Sequence, residues 1–466
     1  MPEPWQQARA MRLSYIQVML NAVFGASTGG MFLIGFALRL GADDVLLGVL
    51  STVPQFFVLF QFVSAYLIQR DYSRRKMTVL FAFATPLCWF LIAAIPLFVP
   101  ATRGSLGLPV LIGVVSLVTV AGQFVANARS SWLGELIPAE KRGRFFGYCG
   151  MFAGIVGAAF AVAEGGFLDA IKGGGLMVFT ALFLFGSLAG VASAALNLPQ
   201  PDCPLSGAGS RPALLKMVRE TLGNRPLVAL ALVHAVIALG GVAGPFNAAY
   251  SLRDVHVSFM GLGLLNAVGT AAALLASPFW GRMVDRFGCR PILILGLVLL
   301  APCSAVWLAI PPGATMRAYW LLPWTNFIAG AGSAAVGIAL STMIYKTSRP
   351  MGRSVQFAAY SAVVTLVAAP MPLLGGWLVS SLQAAGVGID LRLTFYLWSF
   401  FMFAGAVMAV RLKEPESART RAILFNYFPS RIADILGVSV PAWFGVLASL
   451  EKFQLPPPKA DHVRTK

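Results

Sequence analysis

Gly281-Arg282-Met283-Val284-Asp285-Arg286-Phe287-Gly288-Cys289-Arg290-Pro291 is a short basic turn set between two apolar runs, residues 258–280 and 291–311. Three arginines surround a single acid, and glycines stand at the start and near the end. Each flanking run has the ~20 apolar residues a helix needs to cross a bilayer. A turn this short and this charged is where the chain leaves the membrane and re-enters it. The same alternation extends outward in both directions. Twelve predicted spans run near 15–38, 46–68, 77–99, 108–128, 145–166, 175–197, 226–249, 258–280, 291–311, 318–345, 354–381 and 392–411. The basic turn joins spans 8 and 9.

Composition agrees. Of 466 residues, 58% are hydrophobic and only 11% charged, with a mean hydropathy of +0.77. Soluble domains carry roughly 25% charge, so lipid must cover much of this surface. The formal charge is nevertheless +17. On a soluble chain that would suggest nucleic acid; here its distribution explains it. Of the 35 Lys and Arg, only Arg39, Arg103, Lys172, Arg253, Arg317 and Arg392 fall in the loops of one side. The other 29 fall on the side of both termini. Basic residues near span ends stay inside. The expectation is a multi-pass protein of the cytoplasmic (inner) membrane with both termini cytoplasmic and no nucleic-acid partner.

The chain divides in the middle. Residues 198–225 form its longest internal polar stretch, with Pro201, Pro204 and Pro212 in it. That predicts six spans over 1–197, a cytoplasmic linker over 198–225, six spans over 226–412 and a tail over 413–466. The halves repeat one another. Tyr66 to Lys76 is a basic turn after span 2, as Gly281 to Pro291 is after span 8. Pro138 to Gly147 precedes span 5, and Lys346 to Arg353 precedes span 11, each with a Pro followed by Gly-Arg. Two parallel six-span repeats are the layout of a transporter with its site between them.

Over roughly residues 12–412 the chain therefore resembles the major facilitator superfamily. Gly281 to Pro291 is similar to that family's signature loop G-x-x-x-D-R-x-G-R-[RK], and Pro138 to Gly147 to its common loop between spans 4 and 5. The resemblance implies an all-α fold of twelve transmembrane helices in two pseudo-symmetric six-helix halves. It implies gating by Gly281, Arg282, Asp285, Arg286, Gly288 and Arg290. Independently of the family, Asp285 can accept from a helix N-terminus or an arginine, or can simply cap a turn. The first-half copy departs from the pattern: Arg70 stands where Asp285 does, Tyr66 replaces Gly281, and Asp71 is one place out of register.

In this family spans 1, 4, 7 and 10 line the cavity. The resemblance thus implies Asn21, Gln123, Asn127, Asn247, Tyr250, Trp324 and Asn326 as candidate cavity residues. Each is equally readable as a hydrogen bond between helices. Glu164 and His234 are the candidate proton carriers inside the spans. The alternatives are an interfacial acid for Glu164 and a helix–helix hydrogen bond for His234. Span 1 holds no acid. Pro54, Pro86, Pro245, Pro323 and Pro370 are expected to kink their spans. The tail, with Leu424, Phe425, Phe428, Ile432, Ile435 and Leu436 at near-helical spacing, reads as an amphipathic surface helix.

Five scattered cysteines and three histidines show no metal-ligand spacing, and no nucleophile–base pair or phosphate loop appears. Neither an enzyme, a metal site nor a cofactor is expected. The expected function is a secondary active or facilitative transporter of a small solute by alternating access. Its partners are the solute, the lipid bilayer and protons, and its state is monomeric. Few cavity charges lean toward neutral or amphipathic cargo. The alternative is a non-transporting assembly factor or sensor of the same fold.

Overall fold

The computed structural model describes residues 3–69, 73–98, 104–171, 175–202, 223–348, 353–386, 390–412 and 414. All regular elements among them are helical. Eleven helical segments are long and apolar enough to cross a membrane. The remaining predicted span, the second, is the shorter apolar helix Asp44–Phe60 continued by Gln61–Gln69. Most of the linker and the tail, with its amphipathic segment, lie outside the described residues, as do Arg70 and Asp71 of the first-half turn.

Several helices exceed their hydropathic cores. Span 1 begins at Pro4 rather than near 15, with Glu3 and Gln6 forming a capping box. Spans 4 and 10 are Gly104–Leu136 and Thr315–Thr347. Hydropathy marks the part in lipid; the helix continues into water as far as its caps allow. Other spans are broken. Span 1 stops at Thr28 and restarts as Gly30–Arg39, with Gly30 at φ 53°. Span 7 is Arg225–Ala238, a 3₁₀ turn Leu239–Ala243, and Phe246–Arg253. Span 9 passes from Cys289–Leu300 into a nine-residue 3₁₀ stretch, Ala301–Ala309. Span 11 breaks between Arg353–Ala368 and Met371–Ala384. Of the prolines expected to disturb their spans, Pro245 and Pro370 sit at breaks. Pro54 lies in the last turn of Asp44–Phe57, just before the 3₁₀ turn Val58–Phe60 that interrupts span 2, whereas Pro86 and Pro323 lie inside unbroken helices.

The packing repeats between halves. Span 1 packs on 5 and 6, as 7 packs on 11 and 12; span 4 packs on 2 and 3, as 10 packs on 8 and 9. Span 3 packs on 6, as 9 packs on 12. The halves meet through spans 5 and 8, spans 2 and 11, and the last parts of spans 1 and 7. An aromatic core of Phe24, Trp89 and Phe183 fills the first half. One end of the bundle, the basic end, carries Arg9, Arg74 and Arg282; the opposite, distal end carries Arg39, Arg253 and Arg392.

At the basic end the turn between spans 8 and 9 is a single residue. Gly288 closes Phe259–Phe287 at φ 93° and also caps Cys289–Leu300. Glycine alone takes that conformation without strain. The two N–H groups so exposed, of Cys289 and Arg290, donate at 3.1 and 2.8 Å to Glu414, just past span 12. Lys346, at the end of span 10, donates to the same carboxylate at 3.0 Å. Burial alone would raise the Glu414 carboxyl, but those N–H groups and the Lys346 ammonium outweigh it and hold it below its ordinary 4.5. Glu414→Gln should therefore lower the thermal midpoint at pH 7 by ~2–4 °C, corresponding to the loss of a helix cap. A depressed carboxyl stabilises above its ordinary value and ceases to do so as pH falls through the lower folded value. In a melting series the gap between the two proteins should therefore narrow as pH falls below the ordinary carboxyl value of 4.5.

Candidate functional site

The face between the halves is lined by small residues. Ala22, Gly25 and Gly29 of span 1 face Ala153, Gly157 and Ala161 of span 5, and together with Asn266 of span 8 they bound a space of about 350 Å³. The break at Gly29–Gly30 lies on this space, where it leaves backbone groups free for water or ligand.

The distal end is shut by contacts that come in pairs. Gly165 of span 5 lies so close to span 8 that a Cβ there would be 2.6 Å from the Phe259 carbonyl oxygen. A Cβ at Gly263 of span 8 would be 2.7 Å from that of Ala161. Spans 2 and 11 repeat the arrangement: a Cβ at Gly48 would be 2.7 Å from the Pro372 carbonyl, and one at Gly376 would overlap that of Asp44. Backbone thus touches backbone across both seams. Polar contacts cross beside them. The Asp169 carboxylate accepts from the N–H groups of Phe259 at 3.1 Å and Met260 at 2.8 Å, the first turn of span 8. Thr52 Oγ1 accepts from Leu373 N–H at 3.0 Å, in the first turn of the second part of span 11. Arg253 donates to Asp44 at 2.7 Å, with the Asp44 side chain only 8% exposed. Phe32 stacks on Phe259 across the same seam.

Glu164 lies one residue from this seam and inside the first half. It is 6% exposed. Ser27 of span 1 donates to its Oε1 at 2.6 Å, and its Oε2 is buried with no partner. An interfacial, solvated acid does not fit this burial. His234 of span 7 shares a 2.7 Å hydrogen bond between its Nδ1 and the Tyr360 hydroxyl of span 11.

The cavity candidates separate into several places. Asn21 is exposed and Gln123 half-buried on their spans. Asn127 donates to the Gln61 carbonyl at 2.9 Å, tying span 4 to span 2. Tyr250 is in the core at 1% exposure, where its hydroxyl donates to the Ile310 carbonyl. Trp324 is 72% exposed. Asn247 and Asn326 line a common space inside the second half. In the basic turn, Asp285, Arg282 and Arg286 are exposed, with Arg286 over the Phe287 ring at 5.2 Å; Gly288 is the hinge and Arg290 reaches the Leu412 carbonyl.

Sequence reasoning missed the distal contacts and Glu414. By the predicted span limits Asp44 and Asp169 fall in loops and Glu414 falls in the tail. The available signal was position: Asp44 and Arg253 are charged residues on the side otherwise nearly empty of cations.

Known proteins resemble this chain in both sequence and fold. Residues 230–450 match the family model described as Major Facilitator Superfamily. Multidrug resistance protein 2 of Bacillus subtilis is 28% identical over 177 residues, 38% of this chain, and the match spans only 41% of that relative's length. Multidrug resistance protein MdtG of Proteus mirabilis is 28% identical over 311 residues, covering 65% of this chain and 72% of that protein. The crystal structure of a bacterial homologue of the human lysosomal transporter Spinster, inward-facing and occupied, aligns at a TM-score of 0.65 and 16% identity, covering 90% of this chain and all of that one. A D-xylose–proton symporter aligns at 0.65 and 12%, covering 88% of this chain and 98% of that one. With its repeated six-span halves and its basic turn after span 8, this multi-pass membrane protein is similar to the major facilitator superfamily, whose family model matches its second half.

Proposed function

We propose that the protein moves a small neutral or amphipathic solute across the cytoplasmic membrane by alternating access, with its basic end inside. The paired closure of the distal end carries this reading. Its seams are glycine backbone contacts, two carboxylates and one hydroxyl. Glycine surfaces separate without repacking side chains, so one end can open while each half keeps its own core. The lopsided distribution of Lys and Arg supports the orientation. The structure is then the state closed to the outside. The multidrug-resistance names of the relatives support an organic cargo.

The test is flux into proteoliposomes of a panel of neutral and amphipathic aromatic dyes, with and without a pH gradient. Saturable flux of any member supports transport. No flux from a folded protein favours the assembly-factor or sensor reading instead.

Asp285 supplies a second test. It is exposed and unpaired among the described residues while the distal end is shut. When the basic end closes, it is free to bond a helix N-terminus or an arginine, a charge-assisted contact of about 1.5–3 kcal/mol. Asp285→Asn should slow flux about tenfold with insertion unchanged. Unaltered flux would remove the gating role.

A further inference from the structure

A cavity of about 490 Å³ is lined by residues of the second half alone. Spans 7, 9, 10 and 12 line it, leaving it partly open, and drug-sized sites fall in this volume range. The equivalent place in the first half, among spans 1, 3 and 6, is filled. There Phe24 meets Trp89 edge-on at 6.4 Å, and Trp89 meets Phe183 at 5.3 Å. In the second half span 7 brings Gly240 against Trp398 and Met402, where a Cβ would stand 2.9 and 2.8 Å from those side chains. The Tyr250 ring of span 7 packs behind the lining, edge-on to Trp307 and Phe395, and the space itself stays open.

Two of the walls are wound irregularly. The 3₁₀ stretch Leu239–Ala243 of span 7 and the nine-residue stretch Ala301–Ala309 of span 9 both face the cavity. Runs of 3₁₀ helix beyond three or four residues are uncommon and often mark functional segments. In a membrane span, irregular backbone is tolerated where it is buried in protein or lines a cavity. Here the Ser399 hydroxyl donates to the Ala301 carbonyl at the head of the longer stretch.

The lining has a definite chemistry. Trp307, Phe395 and Trp398 present rings, with Trp307 and Phe395 packed at 5.0 Å, and Met402 adds a thioether. Asn247 and Ser333 are exposed to the cavity although both belong to membrane spans. An amide in such a place needs a hydrogen-bonding partner from water or a ligand. None of the lining residues carries a charge. A charged guest would therefore enter a low-dielectric space with no counter-ion.

We infer that the second half holds a binding pocket of its own, between spans 7, 9, 10 and 12, for an uncharged aromatic molecule carrying one or two hydrogen-bonding groups. The rings and Met402 take the aromatic part, and Asn247 takes the polar group. The pocket does not depend on transport, so loss of flux with intact binding leaves it standing.

Benzophenone tests it: neutral, two-ringed, with one carbonyl acceptor and its own photochemistry. The full-length protein in nanodiscs is irradiated with benzophenone and the insertion sites are mapped by mass spectrometry. Insertion should concentrate in peptides holding Trp398 and Met402 and fall at least fivefold with excess phenyl benzoate, a two-ringed carbonyl compound with no C–H bond the excited ketone can abstract. Ser333→Phe should reduce that insertion at least fivefold, and Asn247→Leu about threefold. The quaternary cation 4-benzoylbenzyl-trimethylammonium should insert at least tenfold less. Insertion spread over lipid-facing peptides and indifferent to phenyl benzoate would overturn the pocket. Equal insertion by the cation would overturn the uncharged class. The wild-type map and the phenyl benzoate competition decide the question if either variant fails to fold.

Discussion

Gly165→Val and Gly376→Val should each reduce flux by ten- to a hundredfold while leaving the protein folded. Both glycines face backbone, with the Phe259 and Asp44 carbonyl oxygens where a Cβ would go. A backbone neighbour cannot rotate away, so the halves must part at the distal end. Overpacking of this kind costs about 1–3 kcal/mol, and each 1.4 kcal/mol depletes the closed state tenfold. Gly147→Ala is the control, because nothing lies within 4 Å of its Cβ position in the same span. Spin labels at positions 98 and 316, in a background without native cysteines, should report a longer distal separation for the two valine variants alone. Normal flux with a lengthened distance would show that distal closure is not part of the cycle.

Glu164→Gln should abolish accumulation driven by a pH gradient while sparing downhill exchange. Glutamine keeps the acceptor that Ser27 bonds at 2.6 Å and removes the exchangeable proton. Glu164 is buried between spans 1 and 5, and its second oxygen has no partner. A carboxyl so placed is costly as a bare charge, and such groups in membrane spans commonly relay protons. One proton exchanged per cargo across one pH unit is worth ~1.4 kcal/mol, or about tenfold accumulation. In the variant that ratio should fall to about one. Full accumulation by Glu164→Gln would leave Glu164 a structural hydrogen-bond acceptor to Ser27. Loss of both accumulation and exchange would point to a packing fault, which Glu164→Asp separates.

The fold was legible because two strong signals agree. Apolar runs of bilayer length have no other home, and the alternation of basic loops checks the count of spans. The turn from Gly281 to Pro291 then carried the family. The breaks were harder to read. Span 11 breaks at a proline, but span 1 breaks at Gly29–Gly30, and Pro86 and Pro323 leave their helices unbroken. Neighbouring helices decide which such residue interrupts the backbone, and they are far away in sequence. The distal closure was hidden for the same reason. Gly165 and Phe259, or Gly376 and Asp44, are long-range pairs with no motif linking them. Asn127 and Tyr250 satisfied a cavity rule by span number, while the helix phase turns one toward span 2 and the other into the core.

The one-residue turn at Gly288 has a consequence for biogenesis. Spans 8 and 9 are joined with no slack, so neither can wait at the membrane surface while the other is threaded. In the folded protein they form a tight hairpin, and Glu414 can reach its exposed N–H groups only after span 12 has been made. A nascent chain stalled before residue 414 would hold that hairpin with its turn still open to the quality-control proteases of the cell. The first acid after span 12 therefore ties the hairpin of spans 8 and 9 to the end of the second half.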